Sequence, residues 1–461
     1  MKKEFTGKID TKYRKIMTSV PVPESEEILE RLHKYEPRSM TGQPRVVWDR
    51  AEDCTVFDKY GNQWLDFSSG VLVTNTGHGN PEIKKALIDM INHGLLYNYC
   101  FPTEIRSKLV EKLGSLAPTP LEKVFLLSTG SESTECAIKL ARTYGVRKSG
   151  IHKKKIITFE NAFHGRTLGA QMAGGSPGAK TWIVNLDPDI NQVPFPNGYL
   201  YAWAEAESLD YSEENCFSHF LKALSEQGIE PEQIAGIMIE SYQGGWVQLL
   251  PKGYAKRLRA FCDEYDIILI FDEVQSGIGR TGRFFAFEHY DVIPDLVCCG
   301  KGLSSSLPIS AVIGRSDIMD LYGPNEMTST HTGNPLCCAA ALANLNYLID
   351  KQLIDNAFKL GKICLDSLLD LKNEYSKQIG CVNGVGLVWG VLFISPISGM
   401  ADPTLARRVV DLCIQKGLLL FAPVGNGAVV KLCPPLTIQE DALIDGLTTF
   451  AEAVKEAVES Y

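Results

Sequence analysis

An acid and a lysine stand where two buried strands should end. The run Ile267-Ile268-Leu269-Ile270-Phe271 is apolar on both faces and rich in branched side chains, the pattern of a strand covered on both sides of a parallel sheet. Asp272, Glu273 and Gln275 come next, and a second run, Leu296-Val297-Cys298-Cys299, leads into Gly300-Lys301-Gly302. Open α/β sheets keep their ligands beyond the carboxyl ends of the strands, so Asp272 and Lys301 would face each other there. Burial lowers the pKa of such a lysine and leaves a neutral amine able to form an imine with a carbonyl. A carboxylate against a pyridine nitrogen favours the protonated ring, which then accepts electrons from a substrate.

The pair therefore points to pyridoxal 5'-phosphate, with Lys301 on its aldehyde and Asp272 on its ring nitrogen. Taken singly, Lys301 reads as well as a lysine paired with any acid, and Asp272 as a loop cap. Ser128-Thr129-Gly130-Ser131-Glu132-Ser133 lies where a strand turns into a helix expected over Cys136 to Arg142. Unpaired N–H groups, hydroxyls and a glycine there could cup a phosphate, or simply cap the helix. Gly277-Ile278-Gly279-Arg280-Thr281-Gly282 matches the GxGxxG pattern. Its glycines do not come directly after a strand, however, and Arg283-Phe284-Phe285-Ala286-Phe287 comes next, so a flexible loop beside the site is the better reading.

Alternating strands and crossover segments must position these residues. Apolar runs at Val124 to Leu127, Ile156 to Phe159, Gly236 to Ile239, Ile267 to Phe271 and Leu296 to Cys299 are spaced for intervening helices, an α/β pattern with a mostly parallel sheet. Each run gives way to polar groups: Ser128 to Ser131, Glu160 to Arg166, Glu240, Asp272 and Lys301. Before this region a charged helix is expected from Glu24 to Tyr35, short strands with a turn at Lys59 to Asn62, and a helix from Pro81 to His93. Met172 to Asn215 has no sustained period and reads as an excursion near the site or a subunit contact. After a helix from Leu336, strands are expected at Leu387 to Ile394 and Leu418 to Phe421 with a helix from Leu405 to Gln415. Thr437-Ile438-Gln439-Glu440 fits a capping box for a last helix ending near Glu459.

With 461 residues the chain exceeds what one core usually supports. A formal net charge of −9 and no basic cluster argue against nucleic acid. No run is long enough to span a bilayer, and Met1-Lys2-Lys3-Glu4-Phe5 lacks the apolar core of a secretory signal, so a cytoplasmic location with no membrane partner is expected. The 13 cysteines form no CxxC spacing and read as reduced core residues, with no metal site.

Together these features resemble the class III pyridoxal phosphate aminotransferases, relatives of the 4-aminobutyrate and ornithine enzymes. The likeness runs from about Val46 to the last helix, and Phe271 to Gly282 resembles the family signature, with Gly300-Lys301-Gly302 at the matching distance. The resemblance implies fold type I, an α/β transferase. A large cofactor-binding domain would span 76–340, beside a smaller α+β domain drawn from both termini, 1–75 with the N-terminal arm and 341–461. It implies that Gly130 and Ser131 bind phosphate, Phe163 stacks on one ring face, Val274 packs on the other, and Gln275 reaches the ring hydroxyl. Lys301 would be the imine lysine and the proton-moving base. Thr330, opening Thr330-His331-Thr332-Gly333-Asn334-Pro335, would reach the phosphate of a neighbouring subunit, making the enzyme a homodimer with shared sites.

Substrate choice is expected to rest on Arg166, Glu240, Trp246 and Lys431. Arg166 matches an arginine that holds a substrate carboxylate in several relatives; a surface ion pair is its plainer reading. The relatives carry Glu-Pro-x-Gln-Gly-Glu after the Glu240 strand and an arginine before Pro-Pro-Leu. This chain has Glu240-Ser241-Tyr242-Gln243-Gly244-Gly245-Trp246 and Lys431-Leu432-Cys433-Pro434-Pro435-Leu436. The glutamate–arginine gate for an α-carboxylate is thus replaced by Gly245 and Lys431, and a lysine lacks the planar fork. The expected activity is transfer of an amino group from a primary amine or ω-amino acid to 2-oxoglutarate or pyruvate. An amino-acid epimerase or aminomutase on the same fold is the alternative; a non-catalytic or nucleotide-binding α/β protein is the one from another class.

Overall fold

The computed structural model describes residues 7–196 and 213–460. The segment Met1 to Phe5 and part of the aperiodic stretch, 197–212, lie outside the described residues. Contacts divide the chain into Pro81–Ile354 and a second unit of Met1–Asn80 with Asp355–Tyr461.

The first unit is built on seven strands: β1 (Lys123–Leu127), β2 (Lys155–Phe159), β3 (Ile190–Val193), β4 (Ile234–Glu240), β5 (Ile268–Asp272), β6 (Leu296–Cys299) and β7 (Ser310–Gly314). Their spatial order is β1-β7-β6-β5-β4-β2-β3. Only the pairs made by β7 are antiparallel. The central strands β4, β5, β6 and β7 are buried at every residue, which is why β4, β5 and β6 read as apolar runs. β3 and β7 are the strands the apolar pattern does not reveal. The first is an edge strand with Asn191 and Gln192 at its centre, and the second, Ser-Ala-Val-Ile-Gly, is short with small residues at both ends.

One face of the sheet packs on helix α2 (Gly130–Ser149), where Cys136, Ala137, Leu140 and Ala141 meet Ile268, Ile270, Leu296, Cys298 and Val312. The alternate residue Phe271 points the other way and meets Phe287 and Tyr290. α2 is longer than the apolar pattern alone suggests. A capping box between Thr129 and Glu132 starts it at Gly130, and Gly150, at φ 91°, ends it. Helix α1 (Pro81–His93) begins at the expected proline and packs against α3 (Pro335–Asp350), whose N-terminus is capped by Asn334.

In the second unit, strands Ile379–Val385, Val388–Phe393 and Val429–Leu432 form an antiparallel sheet accompanied by helices Pro403–Gln415 and Glu440–Glu459. Gln63–Asp66 pairs in parallel with Leu418–Leu419, so the two ends of the chain share a sheet. The expected capping box at Thr437 to Glu440 does not form. Gln439 is the N-cap without a side-chain cap bond, and the Thr437 hydroxyl is drawn instead to Asp53.

Candidate active site

Strands β4, β5 and β6 end level with one another, since Asp272 of β5 is in register with Glu240 of β4 and Cys298 of β6. Two residues past β6, Lys301 takes φ 41°, the left-handed region that a side chain with a Cβ rarely occupies. Such strain persists only where the surroundings impose it. Lys301 keeps part of its surface, yet desolvation lowers its pKa against the opposing pull of Asp272 and Glu240. Among the described residues its amine makes no hydrogen bond or ion pair.

Asp272 is the last residue of its strand and is buried. Its Oδ1 accepts the Val274 N–H at 3.0 Å, and its Oδ2 lies 2.7 Å from Nδ1 of His164. Burial opposes charge on the His164 ring, but the Asp272 bond, the Asp272 charge and Glu240 outweigh it and raise the ring's pKa. The other ring nitrogen, Nε2, is buried without a partner. Glu240 is also buried; its Oε2 accepts Phe163 N–H at 3.1 Å and its Oε1 accepts Gly244 N–H at 2.9 Å. Desolvation pushes it up to about 7, with His164 opposing and Asp272 reinforcing. Glu273 accepts the hydroxyls of Ser241 and Ser276 and the N–H groups of Ala286 and Phe287. Its pKa also stands at about 7, raised by burial against those four donors.

At the start of α2, the Glu132 carboxylate takes the N–H groups of Ser128 and Thr129, and the Thr129 hydroxyl takes that of Glu132. The helix cap therefore forms, and it leaves the Gly130 and Ser131 N–H groups without intrahelical partners. Glycines make the surroundings close. A Cβ on Gly130 would sit 2.7 Å from Val274 Cγ1, one on Gly300 3.2 Å from the same atom, and one on Gly165 2.2 Å from Ser131 Oγ. Ser131 Oγ accepts the Arg166 N–H at 3.2 Å. Phe163 is exposed, and the guanidinium of Arg166, also exposed, lies 5.6 Å from its ring centre without an acidic partner among the described residues.

Gly277 to Gly282 forms turns and opens no helix, as its context implies. Tyr242-Gln243 and Gln248-Leu249 make a short hairpin whose turn carries half-buried Trp246. Gly244 in that turn abuts Gln275: a Cβ there would lie 3.0 Å from Gln275 Nε2. Thr330 is exposed, and its carbonyl accepts the Tyr97 hydroxyl. Lys431 belongs to the second unit, buried in Val429–Leu432 opposite Gly390. The structure thus gathers Gly130, Ser131, Phe163, Arg166, Glu240, Asp272, Val274, Gln275 and Lys301 about adjoining strand ends of one sheet. His164 and Glu273 are the residues that sequence reasoning passed over. His164 is 108 positions from its partner Asp272, so spacing carries no trace of the pair; the acid doublet after β5 was the only signal for Glu273.

The chain matches the model of the family described as aminotransferase class-III over residues 37–454. It is 32% identical to the acetylornithine aminotransferase of Clostridium acetobutylicum, over 90% of this chain and 97% of that one. It is 30% identical to the alanine/serine racemase of Pyrococcus horikoshii, over 97% and 94% of the two chains. Among solved structures it resembles an ornithine aminotransferase of Toxoplasma gondii with partial occupancy of PLP at its active site. That likeness has a TM-score of 0.81 at 28% identity and covers 94% of this chain and 95% of that one.

Proposed function

The chain belongs to the class-III aminotransferases, and from that premise we propose that Lys301 and Asp272 carry its chemistry in a site completed by a second copy of the chain. It is a pyridoxal phosphate-dependent transaminase of fold type I, moving an amino group from a donor to a 2-oxo acid. Membership in this family sets aside a nucleotide-binding or non-catalytic role. The cofactor suits the residues present: a glycine-lined seat, two free N–H groups at a helix start, an unpartnered buried His164 Nε2 and a lysine amine whose pKa desolvation lowers.

When bound, pyridoxal phosphate supplies an aldehyde that joins covalently to amines and a ring that takes up electrons from the substrate. Gly130 and Ser131 hold the phosphate through their N–H groups. Phe163 and Val274 confine the two ring faces, and Gln275 meets the ring hydroxyl. Asp272 would face the ring nitrogen, and His164 holds the Asp272 carboxylate in place. Desolvation keeps a larger share of Lys301 neutral, so its Nζ would hold the aldehyde and would accept and return the substrate proton. Arg166, unpaired and beside Phe163, binds the carboxylate of a donor or acceptor, with Trp246 and Lys431 shaping the choice. The donor class is a primary amine or ω-amino acid, because Gly245 and Lys431 stand where the relatives keep a glutamate–arginine gate.

Thr330 serves the phosphate of the partner subunit. Exposure of Thr330 supports this, as do the apolar residues Ile88, Ile91, Tyr97 and Phe101 on α1 and the loop that holds Thr330. A cytoplasmic setting is supported by the described cysteines, which are all free, and by the lack of a described helix able to cross a membrane.

The observation that carries the reading is the desolvated Lys301 beside the Asp272–His164 pair. Borohydride reduction of the loaded protein, followed by peptide mapping, should label Lys301; label on another lysine overturns the assignment. A panel of donors and oxo acids then tests the reaction. The racemase relative favours isomerisation as the second reading. Conversion of one amino acid to its stereoisomer without an oxo acid would establish that reading in place of transamination.

A further inference from the structure

Glu240 bridges the loop that carries Phe163, assigned to a ring face, and a hairpin turn that leans on Gln275, assigned to the ring hydroxyl. Its Oε2 takes the N–H of Phe163, in the loop after β2, and its Oε1 takes the N–H of Gly244, in the hairpin turn after β4. That turn in its place leans on Gln275, where a Cβ on Gly244 would lie 3.0 Å from Gln275 Nε2 and 3.1 Å from Glu240 Oε1. A second tie runs parallel to the first, since Gln243 Nε2 donates to the Glu160 carbonyl at 2.6 Å. Both carboxylate oxygens of Glu240 are thus engaged by backbone, on a residue buried to 6% exposure. Fixing two loops in this way needs an acceptor on each side, which an ionised carboxylate offers and an amide does not.

We propose that Glu240 is a positioning residue that sets the spacing between Phe163 and the Gly244–Gln275 contact, and thereby the fit of the ring between them. The inference rests on the roles given above to Phe163 and Gln275. It is independent of any contact between Glu240 and substrate. Glu240 faces Asp272, His164 and Lys301. Its raised pKa, about 7, means that the doubly accepting form is gained as pH rises through neutrality. Neutralising Asp272 by a bound ring cation would ease that ionisation, so cofactor binding and loss of the Glu240 proton should favour each other.

The test is cofactor affinity of the full-length protein, measured by titrating the apoenzyme with pyridoxal phosphate and monitoring visible absorbance and circular dichroism. Glu240→Gln keeps one acceptor and turns the other into a donor facing an N–H. It should weaken binding at pH 8 by about tenfold or more, reduce the induced dichroism, and lose the part of the rise in affinity between pH 6 and 8 that Glu240 supplies. Gly244→Ala, which presses on both Glu240 and Gln275, should act in the same direction while leaving the carboxylate in place. Wild-type affinity, dichroism and pH dependence in both variants would overturn the inference. If Glu240→Gln does not fold, Gly244→Ala decides alone. Wild-type protein that takes up no cofactor at Lys301 would instead overturn the assignment of the site on which this inference rests.

Discussion

Lys301 is the residue on which the proposed chemistry turns, and its setting makes the consequence of losing it specific. Lys301→Ala should retain the fold, lose the visible absorbance of the bound aldehyde, and lower kcat by about 10⁴-fold, the upper range for removal of an acid–base group. His164→Asn removes the bond to Asp272 and leaves that buried carboxylate less restrained. A hydrogen bond to a charged group is worth about 1.5–3 kcal/mol, so kcat or cofactor affinity should fall roughly 10- to 150-fold, measured by steady-state kinetics and by titration. Glu240 and Glu273 also make a stability prediction. Both bind their proton more tightly folded than unfolded, with pKa values near 7 against an ordinary 4.5. The folded state therefore keeps protons that the unfolded state has released, and the contribution to stability falls as pH rises from about 4.5 to about 7. Melting temperatures across that window should show the decline, and Glu273→Gln should flatten it. Lys431→Arg is expected to move preference toward donors with an α-carboxylate. Because Lys431 is buried, the ratio of kcat/KM values between donors is the measurement that separates recognition from general damage.

The elements matter through their ends. α2 begins with a reciprocal cap in which Thr129 and Glu132 satisfy three N–H groups and leave those of Gly130 and Ser131 without intrahelical partners, the proposed phosphate seat. Thr129→Ala should cost about 1 kcal/mol of stability, the usual value of a lost N-cap, and weaken pyridoxal phosphate binding in a titration. Gly130→Ala tests the same junction sterically, since its Cβ would press into Val274; cofactor affinity should drop with little change in melting temperature. The central strands were legible because burial on both faces demands unbroken apolar runs. β7 was not, because Ser310 and Gly314 bound a run of only three apolar residues. The last helix was legible in extent but not in its cap: Thr437 has a nearer use for its hydroxyl at Asp53, a residue 384 positions away.

For the molecule as a whole, the proposed shared site can be tested at the exposed apolar residues of α1 and the loop after it. Ile91→Asp should shift the protein toward monomer in light scattering. It should also reduce cofactor retention, because Thr330 would no longer reach a neighbour's phosphate. Monomer formation with undiminished retention would count against a shared site. The apolar runs and the residues after them were enough, from sequence alone, to establish a mostly parallel sheet and to place Asp272 and Lys301 at one edge of it. Those properties arise from local rules, in which a strand's burial is written in its own residues and its polar end comes next in the chain. The tertiary structure alone decided that His164 supports Asp272, that Glu240 spans two loops, and that Lys301 sits in a left-handed turn. Each depends on atoms brought together from distant positions by packing, and no residue type or spacing along the chain encodes which of several nearby polar groups will be met.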